Sequence, residues 1–306
     1  MKVADLGAAQ LRSRLRRGEL ILDIRPFAAR VHSPIDSVAG GLARLYGDFR
    51  VLPPGSFADF HVALAPPRGL RRWVRPQVMF SFDGFAPFKP LPRDQAFPMF
   101  EWGLNWCIAN HAHGFLVIHA AVVERGGRAM VLPAPPGSGK STLCAGLVSR
   151  GWRLLSDELC LLDPRSGLVH ALARPVNLKN QSIGVIRGFA PAAVMTEPVR
   201  DTVKGTVAHL KPPPDSVART GEPAVPAWIV FPRYVAGGAG VLEPVGKAPT
   251  LVKLAEQAFN YDVLGVRGFR AAADLVERCA CYEYAYGNLD DAVAAFAALA
   301  GEDRAA

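Results

Sequence analysis

The chain has 306 residues, 50% of them hydrophobic and 20% charged, with a formal net charge of +8 carried largely by arginine. That balance excludes a disordered or fibrous chain and fits one large or two modest globular domains with a substantial core. No apolar run approaches the length of a membrane helix, MKVADLGAAQ lacks the apolar core of a signal peptide, and Cys107, Cys144, Cys160, Cys279 and Cys281 show no metal-ligand spacing. Reduced thiols in a cytoplasmic protein without a membrane partner are expected.

Residues 1–114 read as a strand-rich accessory region with some helix. Leu6–Arg17 is expected as a short amphipathic helix, and Leu20–Ile24, Phe60–Leu64 and Trp73–Phe82 as strands. The last of these ends at the turn signal Asp83-Gly84. Gln95–His111 has helical spacing of Phe100, Leu104, Cys107 and Ile108, with Trp102 and Trp106 as packing residues. The arginine clusters Arg12/Arg14/Arg16/Arg17 and Arg68/Arg71/Arg72/Arg75 read as solvated basic faces. No recognition helix, zinc finger or RNA-binding signature accompanies them, so nucleic acid is not expected, while the surplus favours an anionic partner. Substrate recruitment or packing onto the second region are the roles open to residues 1–114. His111 and His113 resemble a metal pair, but no third ligand follows.

From Phe115 the pattern changes. Leu116–Val123 (LVIHAAVV), with His119 inside it, reads as a strand, Glu124–Gly127 as a turn, and Arg128–Leu132 as a buried strand entering APPGSGKST. Pro136, Gly137, Ser138, Gly139, Lys140, Ser141 and Thr142 are the residues of a phosphate-binding loop. Glycines let successive backbone N–H groups curl around phosphate oxygens at a helix N-terminus, Lys140 would reach the β/γ-phosphates, and the Ser141 hydroxyl would ligate magnesium. Ala134 stands where such loops usually begin with glycine, so the loop entry must tolerate a Cβ.

Leu143–Val148 continues as helix. From Lys140 to Arg150, about eleven helical residues carry the chain roughly 16 Å from the phosphates. Gly151 can stop that helix, and Trp152–Ser156 as a strand climbs back roughly 16–17 Å. Asp157 and Glu158 therefore return to the level of the phosphates, where an acidic pair can bind magnesium and accept a proton from an attacking hydroxyl.

His119, then the loop, then RLLSDE after one short helix resembles HPr kinase/phosphorylase and, more closely, the HPr-kinase-related proteins; ATP-dependent phosphoenolpyruvate carboxykinase is similar at a greater distance. The resemblance covers roughly Leu116 to Lys211. It implies that Lys140 and Ser141 match the loop lysine and the magnesium-ligating hydroxyl, that Asp157 matches the first of two consecutive aspartates, and that Glu158 falls where the family has its catalytic aspartate. It also places a histidine, here His119, near the active site. The Asp-to-Glu difference keeps the carboxylate and extends it by a methylene.

Beyond Glu158, Leu159–Leu162 and Leu168–Ala173 are expected to pair as a hairpin. In ARPVNLKNQSIGVIRGF, which resembles a stretch of the HPr-kinase-related proteins, Arg174 and Lys179 are cations suited to steadying charge on a transferring phosphoryl group. Gln181–Arg187 is a short helix. Lys204 beside Gly205 in Thr202–Leu210 permits close approach to an anion. Lys211–Ala227 is proline-rich and reads as a loop or lid, in which Ser216 or Thr220 could be modified. Trp228–Tyr234 is a strand broken by Pro232, leaving Arg233 exposed for nucleotide or substrate. Thr250–Phe259 and Phe269–Cys279 are helices, Tyr282–Tyr286 a strand, Leu289–Leu299 a helix capped by Asn288, and GEDRAA a frayed tail.

The fold expected is α/β, a P-loop kinase core of the HPr kinase/phosphoenolpyruvate carboxykinase type over 115–306 with a strand-rich accessory region over 1–114. The activity expected is transfer of the γ-phosphoryl group of ATP, with Mg2+, to a hydroxyl, that of a serine on a peptide or small protein. A small-molecule hydroxyl or a non-catalytic ATP-dependent binding module are the alternatives. Ser141 and Asp157 would hold the metal, Glu158 would be the base, and Lys140, His119, Arg174 and Lys179 would complete the site. A homo-oligomer is possible in this family.

Overall fold

Alternation explains the first sheet: Phe60, Val62 and Leu64 are buried while His61 between them is exposed. The computed structural model describes residues 1–302. Helix α1 (Ala8–Arg17) buries Leu11 and Leu15 and stops at Gly18, whose φ of 66° suits a left-handed cap. Strands β1 (Leu20–Ile24) and β2 (Phe27–His32), helix α2 (Asp36–Leu45), and strands β3 (Phe60–Ala65), β4 (Gln77–Phe82) and β5 (Leu91–Pro92) follow. A 3-10 turn (Arg93–Gln95) leads into α3 (Ala96–His111). The strands form a sheet in the order β1-β2-β3-β4-β5. A Cβ on Gly103 would lie 2.2 Å from the Phe80 ring, so this glycine is what lets α3 settle on the sheet.

Trp73–Phe82 was expected as one strand; β4 begins only at Gln77. Pro76 offers no N–H to a ladder, Arg75 has φ 47°, and Trp73 is 74% exposed after a 3-10 turn at Leu70–Arg72. Strand β2 and helix α2 carried no expectation and are both present.

The second part begins with β6 (Leu116–Arg125), β7 (Arg128–Pro133), α4 (Lys140–Ser149), β8 (Arg153–Ser156), β9 (Leu159–Leu162) and β10 (Val169–His170). Then come β11 (Val176–Lys179), α5 (Gln181–Phe189), β12 (Val199–Thr202), β13 (Gly205–Leu210), α6 (Pro214–Ala218) and β14 (Val225–Tyr234). The chain continues through β15 (Ala239–Pro244), α7 (Lys247–Glu256), α8 (Tyr261–Leu264), α9 (Val266–Arg278), β16 (Ala280–Tyr286) and α10 (Leu289–Glu302). Among the described residues, β10-β9-β6-β7-β14-β16-β15 form one mixed sheet with β8 also on β6, and β11-β13-β12 form a smaller one. The protein is thus a mixed α/β chain with several sheets.

Both faces of the larger sheet are buried. Ala121 and Val123 of β6 pack with α4 and α10, whereas Ile118, Ala120 and Val122 pack with α7 and α9. Val117, Leu159 and Leu161 extend instead into the core of the first sheet, with α3. No described helix is long and apolar enough to cross a membrane.

Several expectations are corrected here. Leu168–Ala173 contributes only the pair Val169–His170 as strand. Thr202–Leu210 is a hairpin end, with Val203-Lys204 at the turn between Thr202 and Gly205. Lys211–Ala227 is fastened and contains α6: buried Ser216 accepts the Leu154 N–H at 2.9 Å, and Arg153, ion-paired with Glu124, donates to the carbonyls of Arg219 (3.0 Å) and Glu222 (3.1 Å). Ser216 is therefore closed to modification. Pro232 does not break β14, because pairing with β7 ends at Ile229 and only β16 remains beside it. Asn288 does cap α10, accepting the Asp290 N–H at 2.7 Å. Of the expected frayed tail, Gly301 and Glu302 end α10, and 303–306 lie outside the described residues.

Candidate active site

β7 ends at Pro133 and the chain enters α4 at Lys140 through a loop in which Gly137 and Gly139 both have φ 89°. At Gly139 glycine is required twice over: a Cβ there would lie 2.6 Å from the Tyr286 hydroxyl and 2.9 Å from Tyr234 Cβ. The same neighbours hold the loop, for Tyr286 O–H donates to the Gly139 carbonyl at 2.8 Å and the Tyr234 N–H donates to the Ser138 carbonyl at 2.8 Å. Lys140 is folded back and 6% exposed, its ammonium 3.4 Å from the Ala134 carbonyl. Burial lowers its pKa to about 8, with Asp157 and Glu158 working in the opposite direction. Ala134, at the loop entry, is itself buried, its Cβ accommodated.

Strand β6 brings the acidic pair to this loop. On one edge Ala120 of β6 faces Pro133, the last residue of β7. On its other edge His119 faces Leu159 of β9 and Val122 faces Ser156 of β8, so Asp157 and Glu158 fill the gap opposite Ala120–Ala121. Two strand spacings, roughly 10 Å, thus separate the loop entry from the acids at equal height. The Ser156 hydroxyl accepts the Leu159 N–H at 3.1 Å and pins this bend.

The two carboxylates are held differently. Asp157 is buried; one oxygen accepts the Asn177 N–H at 2.9 Å while Oδ1 has no partner. Burial and then Glu158 push its pKa up to about 6, partly offset by Asn177, Lys140 and the nearby Ser141 hydroxyl. Glu158 is only half-buried and accepts amide hydrogens from Asn177 (3.3 Å) and Asn105 of α3 (3.3 Å). Burial alone would raise its pKa, but Lys204, Lys179 and Lys140 outweigh it and hold the carboxyl below its usual range. Glu158 is therefore ionised at neutral pH while it stays open to the site.

Lys140, Lys179 and His119, expected together, are together. His119 adjoins Lys140 and Glu158, and burial followed by Lys140 pushes its pKa down to about 4, leaving the imidazole neutral. Lys204, at the hairpin turn, joins them and lies 4.9 Å over the Trp102 ring. The glycine after it serves another purpose than approach to an anion: Gly205, at φ 80°, makes room for Asn180, whose Oδ1 accepts the Thr206 N–H at 3.0 Å. The hairpin tip and Lys179, beside Asn180, are thereby tied to each other.

Arg174 departs from expectation. It is buried and turned toward α3, donating to Glu101 Oε2 (2.6 Å), the Glu101 carbonyl (3.1 Å), Tyr46 Oη (3.3 Å) and Asn105 Oδ1 (2.6 Å). It reaches Glu158 only through Asn105. A cavity of about 20 Å³, room for one water, lies among these groups and is lined by Asp157, Glu158, Asn177 and His209. Pro136 and Gly137 are exposed, Ser141 and Thr142 half-buried on the first turn of α4, and Arg233 exposed one residue before the Tyr234 contact. His111 hydrogen-bonds the Cys107 carbonyl at 2.9 Å, and no cluster of three His, Cys, Asp or Glu that could hold a metal occurs among the described residues. All five cysteines are buried and free.

Sequence reasoning missed Asn105, Asn177, Tyr234 and Tyr286. Asn177 lies inside the quoted stretch ARPVNLK, where a buried polar residue in an apolar strand was the available signal.

No family model matches the chain, and no curated protein matches it. Among solved structures, the Hpr(Ser) kinase/phosphatase from Coxiella burnetii overlaps it at 11% identity, over 61% of this chain and 98% of that one, with a TM-score of 0.26. An overlap that loose carries no argument about fold or site.

Proposed function

We propose that this chain is a kinase that transfers the γ-phosphoryl group of ATP, with Mg2+, to a hydroxyl on a peptide or small protein. The observation that carries the reading is the pairing of an ionised, half-open Glu158 with Lys140 and a glycine loop at the N-terminus of α4, at one height on either side of β6. The serine identity of the acceptor rests on the resemblance of the loop and the RLLSDE segment to HPr kinases.

The residues fit a magnesium ion. Asp157 keeps an unpartnered buried oxygen and the Ser141 hydroxyl lies near it; two oxygen ligands, with phosphate oxygens and water for the rest, suit this cation. Bound there, the metal would neutralise charge on the β- and γ-phosphates. The loop N–H groups and the Lys140 ammonium bind the phosphates. Glu158 takes the proton of the attacking hydroxyl, oriented by Asn105 and Asn177. Lys179 and Lys204 stabilise negative charge at the reacting group. Neutral His119 lies near Glu158 and Lys140, and Arg174 acts by fixing Asn105. Residues 1–114 thus supply part of the catalytic scaffold as α3.

Purified protein, Mg2+ and γ-labelled ATP incubated with peptide and small-metabolite fractions of the source cell test the reading. Label should enter the peptide fraction and disappear with Lys140→Ala and with Glu158→Gln. ATP binding without transfer to either fraction would overturn it.

A further inference from the structure

We propose that the cleft between the Leu70–Gln77 segment and the Pro92–Asp94 turn docks an acidic segment of the protein acceptor; this rests on the kinase reading above. The cleft encloses about 550 Å³ and is lined by Arg71, Arg75, Arg93, Gln77 and Asp94. Three arginines thus line the cleft beside one aspartate, and among the described residues none of the three makes an ion pair. Arg68 and Arg72 extend the same patch. Arg68, Arg71, Arg72 and Arg75 supply four positive charges within eight residues of a chain whose net charge is +8. Like charges crowded this way repel one another, and an anionic partner relieves that repulsion.

The rim says what kind of anion. Leu70 is 80%, Trp73 74% and Val74 60% exposed, and Arg72 lies 5.3 Å from the Trp73 ring. Exposed tryptophan beside arginine is the composition of protein interfaces, where these two side chains dominate the energetics. A free phosphate or small metabolite would use the guanidiniums and leave this rim idle. An acidic peptide uses both.

The cleft is also joined to the site. Arg93 and Asp94 sit on the 3-10 turn whose Gln95 donates from Nε2 to the Asp201 carbonyl at 3.1 Å. Asp201 belongs to the hairpin whose turn carries Lys204, next to Glu158. The same turn runs directly into α3, which carries Trp102 and Asn105. A segment bound in the cleft therefore abuts the turn from which α3 runs toward Asn105.

The test uses a fluorescein-labelled oligo-glutamate peptide bearing one serine, read by anisotropy against the full chain. Arg71→Glu/Arg75→Glu, both exposed positions, should weaken binding by ~tenfold or more and remove its salt dependence. ATP affinity and the melting temperature should stay unchanged in that variant. Lys140→Ala should bind the peptide as the parent does, which separates docking from catalysis. In the transfer assay the double variant should raise KM for the peptide at constant kcat. Binding with no phosphorylation would sink the kinase reading and leave the docking site standing. Unchanged affinity in the double variant overturns the proposal. So does selective, Trp73-dependent binding to phosphatidylserine vesicles with no binding of the peptide.

Discussion

Glu158 accepts a hydrogen bond at 3.3 Å from Asn105, a residue 53 positions earlier on helix α3. Asn105 is in turn gripped by Arg174 at 2.6 Å, and Arg174 by Glu101 on the same helix. A shorter carboxylate at this position would draw back from the Asn105 amide by about one C–C bond.

On the proposed kinase reading, Asn105 is a positioning residue. Asn105→Ala should lower kcat ~tenfold with the KM for ATP unchanged. Asn105→Asp places a second carboxylate beside Glu158, which disfavours its ionised form, so the acid limb of the pH–rate profile should move to higher pH. A profile that does not move in Asn105→Asp would remove Asn105 from this role.

Burial lowers the Lys140 pKa to about 8. Bound phosphates favour the ammonium, so binding takes up a proton above that pH. Nucleotide affinity should therefore be level below pH 7 and weaken as pH rises through 8, approaching ~tenfold per unit. Titration with a fluorescent ATP analogue from pH 6 to 10 checks this, and Lys140→Arg should flatten the curve. A flat curve in the parent would contradict the assignment.

Asp157 has its pKa pushed up to about 6 by burial and by Glu158. The folded state then holds this proton more tightly than the unfolded chain does. Stability of the metal-free protein accordingly falls as pH rises through about 4 to 6, and the cost is complete above 6. Asp157→Asn should stabilise the metal-free protein at pH 8 by up to ~3 kcal/mol and little at pH 4. It should also abolish any rise in Tm on adding Mg2+. Melts at both pH values, with and without Mg2+, decide it; a variant that still gains from Mg2+ sinks the metal assignment.

Gly205→Ala sets a Cβ 2.4 Å from Asn180 Oδ1 at a φ of 80°. The expected loss is ~1–3 kcal/mol of stability, together with a higher KM for ATP as Lys179 and Lys204 separate. Denaturant melts and steady-state kinetics read the two effects independently.

What was legible in the sequence was local. The glycine loop, α4 and the return of β8 to Asp157–Glu158 rest on residue type and on helix and strand rise, and these survive in the structure. What was illegible depends on partners distant in sequence. Nothing around Asn105 marks it as facing Glu158, and nothing in YAYGN marks Tyr286 as a loop contact. Arg174 carried the right charge for a phosphate ligand, but only the fold shows Glu101 waiting for it. Trp73–Phe82 misled because Trp73 and Val74 at its start are exposed while only Val78 and Phe80 of β4 are fully buried, a difference that composition does not record.

The hydroxyl that clamps Gly139 lies 147 residues further along the chain. At a synthesis rate of about 5–20 residues per second, roughly 7–30 s pass between the ribosome's adding Gly139 and its adding Tyr286. During that interval the loop exists without the neighbours that shape it. The growing chain therefore carries a complete glycine-lysine motif well before it carries a clamped loop, and a product halted before β16 would hold the motif without its clamp.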